Sequence, residues 1–224
     1  MSATFEHQDL RDADFDRQDL TGCRFVNCRI SGASFRGADM VGAYFEGCAG
    51  WEANAKGATA DTGVDFSFAD LREAGFVRCD LSLARLVRIR GYDLTMEHCQ
   101  LQGADLSHAD FALPIATREP PVAAVLRHCN LSHADLSHVD LTGADLSGSR
   151  LMEALLHETC LRRADLSGTD LNNVSGRGMI LAGADLRNAA FNGLDPRLVD
   201  LTGVRITSGQ APMLLGALGI ILSD

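Results

Sequence analysis

The chain of 224 residues is acidic, with a formal net charge of −10 at pH 7, and only 6% of its residues are aromatic. This charge argues against direct binding to nucleic acid, whose phosphates repel an acidic surface. No signal-peptide pattern opens the sequence, and the apolar stretch near the C-terminus is too short and too interrupted to span a membrane. We therefore expect a cytoplasmic protein that does not contact a membrane.

From the N-terminus onward, an apolar residue recurs every five positions. The first run consists of Phe5, Leu10, Phe15, Leu20, Phe25, Ile30, Phe35, Met40 and Phe45. Five residues advance an α-helix by about 500°, and an odd period alternates between the two faces of a β-strand, so neither element forms one apolar stripe. The pattern instead predicts a backbone that turns after every unit and winds around one axis, as in a solenoid.

The five-residue period continues along most of the chain. It resumes at Phe66 and runs to Phe111, and then restarts at Leu126 and closes at Ile206. The residue two before the apolar centre is usually small, and the residue directly before it is most often Asp. A charge this frequent must face solvent, because burying it unpaired is costly. The two residues after the centre are polar or glycine, which is typical of turns.

This A-D-L-x-x consensus resembles that of the pentapeptide-repeat family. The resemblance implies an all-β fold, a right-handed quadrilateral β-helix with four repeats in each coil. Residues 1–206 are expected to form this helix, interrupted by projecting loops at about 46–63 and 112–124, and residues 207–224 a C-terminal helix and strand for dimerisation. About nine coils would stack ~4.8 Å apart.

The seven cysteines and seven histidines do not point to a metal or catalytic site. The repeat places six cysteines at the small inward position, and it places most histidines at the second outward position. Thiols and imidazoles are therefore directed to opposite sides of the backbone. We interpret the cysteines as small core residues and the histidines as surface residues. The sequence also has no nucleotide-binding, hydrolase or zinc-protease motif, so we expect a non-enzymatic protein without cofactor or metal.

The two loops that break the period have two interpretations. They are either tolerated insertions or arms that contact a partner, and we favour the second, because loops on rigid scaffolds often carry function. Exposed Trp and Arg are common interface anchors, which favours Trp51 and Arg118. The expected contact residues are Trp51, Glu52, Asn54 and Lys56 in the first loop, and Arg118, Glu119, Pro120 and Pro121 in the second.

A column of aspartates is expected in the C-terminal part of the rod. Asp145, Asp165 and Asp185 are 20 residues apart, which is one coil, so they should stack on one face as a negative stripe. Such a stripe is a poor general acid–base pair. It is either a binding surface or a by-product of the A-D-L consensus.

The tail TSGQAPMLLGALGIILSD (207–224) leaves the five-residue register. Pro212 suits the first turn of a helix, and a short strand is expected at 219–222. The segment is too apolar to cap the rod in water, so we interpret it as half of a two-fold interface, with intramolecular capping as the alternative. The expected interface residues are Pro212, Met213, Leu214, Leu215, Leu218 and Ile220.

Within the family, three features are similar to the Qnr quinolone-resistance proteins, with MfpA-type proteins next. They are the blocks CDLSLARL (79–86) and HCQLQGADL (98–106), the two interrupting loops, and the ending VDLTGVRITSGQAPMLLGALGI (199–220). The resemblance implies a homodimeric rod that acts as a partial DNA mimic, binds DNA gyrase and topoisomerase IV, and protects them from fluoroquinolones. The alternative is an acidic β-helical scaffold that binds another protein partner.

Overall fold

The computed structural model describes residues 3–52, 63–113 and 123–221. It contains six short parallel strands, which pair with one another in chain order. They are β1 (Thr4–Glu6), β2 (Arg24–Val26), β3 (Tyr44–Glu46), β4 (Gly75–Val77), β5 (Leu94–Glu97) and β6 (Ala124–Arg127). A 3-10 turn (Ser208–Gln210) and helix α1 (Ala211–Ala217) follow near the C-terminus.

One coil takes 20 residues, because Phe5 pairs with Phe25 and Phe25 pairs with Phe45. Parallel bridges join the other sides of successive coils in the same way. The chain therefore forms the predicted right-handed, four-sided β-helix. We number its faces 1 to 4 by the core residues of the first coil, Phe5, Leu10, Phe15 and Leu20.

Each side of a coil ends in a left-handed corner. The second residue after the core residue has a positive φ, as in His98 (φ 56°) and Gly103 (φ 66°). Glycine adopts this conformation at no steric cost, and His, Asn and Asp adopt it more readily than bulky residues do. The glycines and polar residues of the repeat are therefore selected by backbone geometry as well as by contact with water.

The core is a stack of apolar side chains along the axis. Phe25, Phe35, Phe45, Phe66 and Phe76 are completely buried. The rings of Phe25 and Phe45 stack at 4.5 Å between centroids and those of Phe45 and Phe76 at 4.7 Å, whereas Phe45 and Phe66 meet edge to face at 5.8 Å. Leucines continue the stack toward the C-terminus, and Leu136, Leu146 and Leu156 are equally buried.

The inward thiols follow the predicted phase. The six cysteines at the small position are buried, and Cys160 is only partly buried. Five of them form one column behind face 2, in which Cys48 donates to the carbonyl of Phe25 at 3.3 Å and Cys99 to that of Phe76 at 3.4 Å. Burial is the main factor that raises the pKa of the Cys28 thiol, which favours its neutral form.

Two buried carboxylates are each held by two arginines. Asp185 is 3% exposed and pairs with Arg187 at 2.6 Å and with Arg205 of the next coil at 2.9 Å. Asp70 pairs with Arg72 and with Arg90 of the next coil, both at 2.7 Å. These triads join adjacent coils from outside, in addition to the backbone hydrogen bonds.

Both loops are shorter than the sequence indicated. Glu46 belongs to β3, and Ala49 still bridges Arg29 and Asp80, so the coil continues to Gly50 instead of ending at residue 46. Ala124 belongs to β6, and the Ala123 N–H donates to the Phe111 carbonyl at 3.2 Å across the base of the second loop. The reason is that residues 46–50 and 124 keep hydrogen-bonding partners in neighbouring coils although their sequence departs from the consensus.

The C-terminal segment closes the rod through Gln210. Its side-chain amide donates to the carbonyls of Leu186 and Ala189, both at 2.7 Å, and its amide oxygen accepts from the N–H of Thr207 at 2.7 Å. Residues 219–221 lie outside any strand in the single chain, and Leu222 lies outside the described residues. A strand there requires a second strand to pair with.

Replacing Phe45 by alanine should destabilise the rod by about 3–5 kcal/mol, because it leaves a cavity between the rings of Phe25 and Phe76. Urea unfolding followed by circular dichroism measures this loss. The matched control is Leu155→Ala, since Leu155 is 39% exposed and should lose less than about 1 kcal/mol. Equal losses in the two variants would contradict the stacked core.

Replacing Asp185 by asparagine should lower the free energy of unfolding at pH 7. The hydrogen bond from Arg187 is the largest factor that lowers the pKa of Asp185, from an ordinary 3.8 to about 2. The ionised carboxylate therefore stabilises the fold above about pH 4, and this contribution is lost as the pH falls through 2.

The difference in stability between the wild type and Asp185→Asn should accordingly shrink between pH 4 and pH 2, as measured by thermal unfolding across this range. Asp165→Asn is the control, because Asp165 lies in the same column and forms no ion pair within residues 3–52, 63–113 and 123–221. A difference in stability between the wild type and Asp185→Asn that stays constant with pH would contradict the role of the two arginines.

Candidate partner-binding surfaces

Glu52 lies at the start of the first loop and is bound to its own rod. Its carboxylate accepts hydrogen bonds from the Arg29 guanidinium at 2.6 and 2.7 Å, and Arg11 lies at 3.8 Å. The hydrogen bond from Arg29 is the main cause of the lowered pKa of Glu52. This residue therefore fastens the loop against face 2.

Trp51 is half-buried at the corner between faces 2 and 3. Together with neighbouring side chains it lines a hollow of about 350 Å³, whose other lining residues are Ser82, Leu83, Gln102, Gly103 and His133. Leu83 is a bulky residue at a left-handed corner (φ 56°), and Trp51 lies beside it. Trp51 therefore shares one hollow with side chains of the rod and keeps part of its surface accessible.

The two loops leave the rod at opposite corners. The first begins after Gly50 on face 2 and returns to face 3 at Val64, and the second lies between Phe111 on face 4 and Leu126 on face 1. The corner between faces 2 and 3 is diagonally opposite the corner between faces 4 and 1. The remaining predicted contact residues, Asn54, Lys56, Arg118, Glu119, Pro120 and Pro121, lie outside the described residues.

The register places Asp145, Asp165 and Asp185 in adjacent coils of face 1. Arg127 contacts Asp145 at 2.7 Å, and Arg187 and Arg205 enclose Asp185. The column is therefore less negative than its carboxylates alone would suggest. Sequence reasoning missed these arginines, although the repeat fixes their spacing from the aspartate: two residues for Arg187, one coil for Arg205, and 18 residues for Arg127.

Helix α1 has an inner and an outer side. Met213 and Leu214 pack against the core of the last coil, and Leu215 is partly buried. Leu218 and Ile220 are 47% and 49% exposed, and Ile221 is 91% exposed. Pro212 is also exposed, at the start of the helix. The segment therefore caps its own rod on one side and leaves an apolar surface on the other.

Two features are absent from the described part of the chain. Within it, no group of three His, Cys, Asp or Glu side chains is arranged to hold a metal ion. Among these same residues, no helix has the length and hydropathy needed to cross a bilayer. The surfaces that remain for function are the two loop bases, the outer faces of the rod and the C-terminal apolar patch.

The family model for pentapeptide repeats matches residues 1–37, 28–60, 62–87, 122–157 and 159–203. The structure is similar to that of QnrB1, a plasmid-mediated fluoroquinolone resistance protein, with a TM-score of 0.89 and 32% identity, over 97% of this chain and 100% of that chain. It is also similar in fold to HetL from Nostoc sp. strain PCC 7120, with a TM-score of 0.60 and 24% identity, over 91% of this chain and 89% of that chain.

Among curated proteins, the pentapeptide repeat protein QnrB4 of Escherichia coli is 39% identical over 70 residues. This alignment spans 31% of the chain and 33% of QnrB4, so it covers about a third of the relative's length. Together with the match to the repeat model over most of the sequence, these similarities mean that the chain belongs to the pentapeptide repeat family and is similar, within it, to the QnrB quinolone resistance proteins.

Proposed function

We propose that this chain is a non-enzymatic protein that binds DNA gyrase, topoisomerase IV or both, and protects them from fluoroquinolones. The observation that carries the proposal is the similarity to QnrB1, a fluoroquinolone resistance protein, over 97% of this chain and 100% of that chain. The proposal places the chain in the cytoplasm, where these enzymes act on the chromosome.

The loop bases support a role as contact arms. Glu52 is fixed by Arg29, and Trp51 lines the same hollow as Leu83, so the first loop starts from an anchored position. Anchoring lowers the entropy that is lost when a loop binds a partner. Because the loops leave from opposite corners, an enzyme with contacts to both must reach around the rod.

The acidity of the chain supports partial DNA mimicry only in a limited way. A dimer would carry twice −10 charges over roughly 86 Å, which is about 40% of the charge density of B-DNA. The arginines beside Asp145 and Asp185 reduce the local field further. Long-range steering toward a basic groove fits this charge, while specificity must come from shape and from the loops.

The exposed side of the tail supports a homodimer. Leu218, Ile220 and Ile221 are close in sequence and are all exposed at the end of the rod. In a two-fold interface each patch would cover its copy, and residues 219–222 could pair as strands. The two rods would then extend in opposite directions from the contact.

The direct test is gyrase supercoiling inhibited by ciprofloxacin and titrated with the full chain. We expect supercoiling to recover at about micromolar protein or below, since a specific protein contact has this strength. Absence of rescue, together with no inhibition of gyrase at higher concentrations, would refute the proposed function.

Variants lacking 53–62 or 114–122 then separate the two candidate functions. If the loops contact the enzyme, each deletion should reduce rescue while the thermal midpoint stays close to that of the wild type, because the flanking coils keep their pairing. Full rescue by both loop-deleted variants would favour an acidic scaffold whose rod, and not its loops, binds the partner.

The dimer has its own test in the double variant Leu218→Asp and Ile220→Asp. Two charges in the apolar patch should convert a dimer into a monomer, as measured by sedimentation at micromolar concentration. Leu155→Asp is the control, since Leu155 is similarly exposed on face 3. A wild-type chain that sediments as a monomer would contradict the interface.

A further inference from the structure

One large aromatic side chain is exposed in the middle of the rod. Phe68 is 52% exposed and occupies the corner between faces 3 and 4 with a left-handed backbone (φ 65°). Bulky side chains are disfavoured in this conformation. Among the described residues, Phe68 and Leu83 are the only apolar side chains at such a corner.

The comparison with Leu83 shows what Phe68 lacks. Leu83 packs directly against Gly103, where an added Cβ would come within 2.8 Å of its Cδ2 atom, and Trp51 lies beside it. The centroid of the Phe68 ring lies 5.6 Å from the guanidinium of Arg36, and the residue remains 52% exposed. A strained and exposed aromatic residue lowers stability without serving the core.

The surface around Phe68 is basic although the chain is acidic. The Phe68 N–H donates to the Val87 carbonyl at 2.9 Å, which places Arg88 next along the same corner. Arg85 and Arg90, each 60% exposed at the side chain, lie on the two flanking faces. We name this surface the corner patch, and it consists of Arg36, Phe68, Arg85, Arg88 and Arg90.

Two carboxylates of this region, Asp65 and Asp70, are set back behind the arginines. Asp65 is contacted by Arg36 at 3.2 Å and by Arg85 at 3.8 Å, and its side chain is 20% exposed. Asp70 is 3% exposed and is held by Arg72 and Arg90. On the next coil, Asp105 and Asp110 form backbone bridges with Arg85 and Arg90 and are accessible to solvent. At the corner itself, solvent meets the Phe68 ring and the arginine guanidinium groups.

We propose that the corner patch is a second contact with the topoisomerase, in which Phe68 enters an apolar pocket rimmed by carboxylates. The inference rests on the proposed function. A basic groove that attracts the acidic faces would repel this patch, so the contact must lie elsewhere on the enzyme. Aromatic and arginine side chains are also the commonest anchors of protein interfaces.

The position of the patch supports the same partner. The first loop returns to the rod at Gly63 and Val64, which directly precede Asp65 and Phe68 on face 3. Loop and patch are thus continuous along the chain. DNA is a poorer partner for the patch, because a chain of net charge −10 repels the phosphate backbone over a longer range than four arginines attract it.

The test compares binding of full-length variants to immobilised gyrase holoenzyme. Phe68→Asn removes the ring and retains a residue that accepts the left-handed corner, as Asn173 and Asn188 do. We expect it to bind about tenfold more weakly, while its thermal midpoint equals or exceeds that of the wild type. Leu198→Asn, at a 61% exposed leucine outside the patch, should bind like the wild type.

A charge reversal tests the pocket rim. Arg88 is exposed and forms no ion pair in the described part of the chain, and Glu153 and Glu158 show that glutamate accepts the same corner. Arg88→Glu should therefore fold normally and bind more weakly, and the difference should diminish with added salt.

The outcomes separate the two proposals. Wild-type binding together with unchanged binding of Phe68→Asn would overturn the corner patch and leave the proposed function intact. Absence of wild-type binding would overturn the proposed function and the patch with it. A loss of binding by Phe68→Asn that appears only when gyrase holds DNA would replace the carboxylate pocket by a nucleic-acid contact.

Discussion

The structure depends on the requirement that every coil bond to the coils beside it through its backbone. The N–H and C=O groups along the sides of a coil find their partners in the adjacent coils, and an unpaired buried amide is costly. The Leu10 N–H donates to the Arg29 carbonyl at 2.8 Å, and the Arg29 N–H donates to the Gln8 carbonyl at 3.0 Å. This two-sided ladder fixes the length of a coil, so extra residues are accommodated only where the chain passes from one face to the next. Both loops leave the rod at such corners.

The repeat predicted the fold and the core from the sequence because each five-residue unit makes the same contacts. It correctly predicted that Cys48 and Cys99 point inward and that His98 and His128 are exposed. Regular pairing extends into both predicted loop ranges, because residues 46–50 and 124 keep their bonds to neighbouring coils without a consensus sequence. The five-residue pattern predicts which residues are buried, because burial depends on the side chain itself. It does not predict where a coil ends, because that depends on hydrogen bonds to the neighbouring coil.

The candidate surfaces were less predictable, because their properties depend on residues one coil away. Nothing in the sequence around Asp185 alone shows that Arg205 of the next coil neutralises it. Likewise, the sequence around Glu52 does not show that Arg29 forms an ion pair with it. The roles proposed for the loops and the tail remain predictions, and the fold supplies only their anchoring and their exposure. Charge on a β-helix must therefore be counted by column and not by segment.

The distribution of phenylalanine divides the rod into two optically different halves. The stacked rings run from Phe5 and Phe15 to Phe66 and Phe76, and Met96 and Leu86 take over the same columns beyond them. Phenylalanines in a rigid asymmetric stack contribute fine structure to the near-ultraviolet circular dichroism spectrum. The largely aliphatic half, where Phe111 and Phe191 lie in the core outside this stack, contributes mainly to the far-ultraviolet signal. Fraying from either end of the rod can therefore be distinguished in one unlabelled sample by comparing the two wavelength ranges.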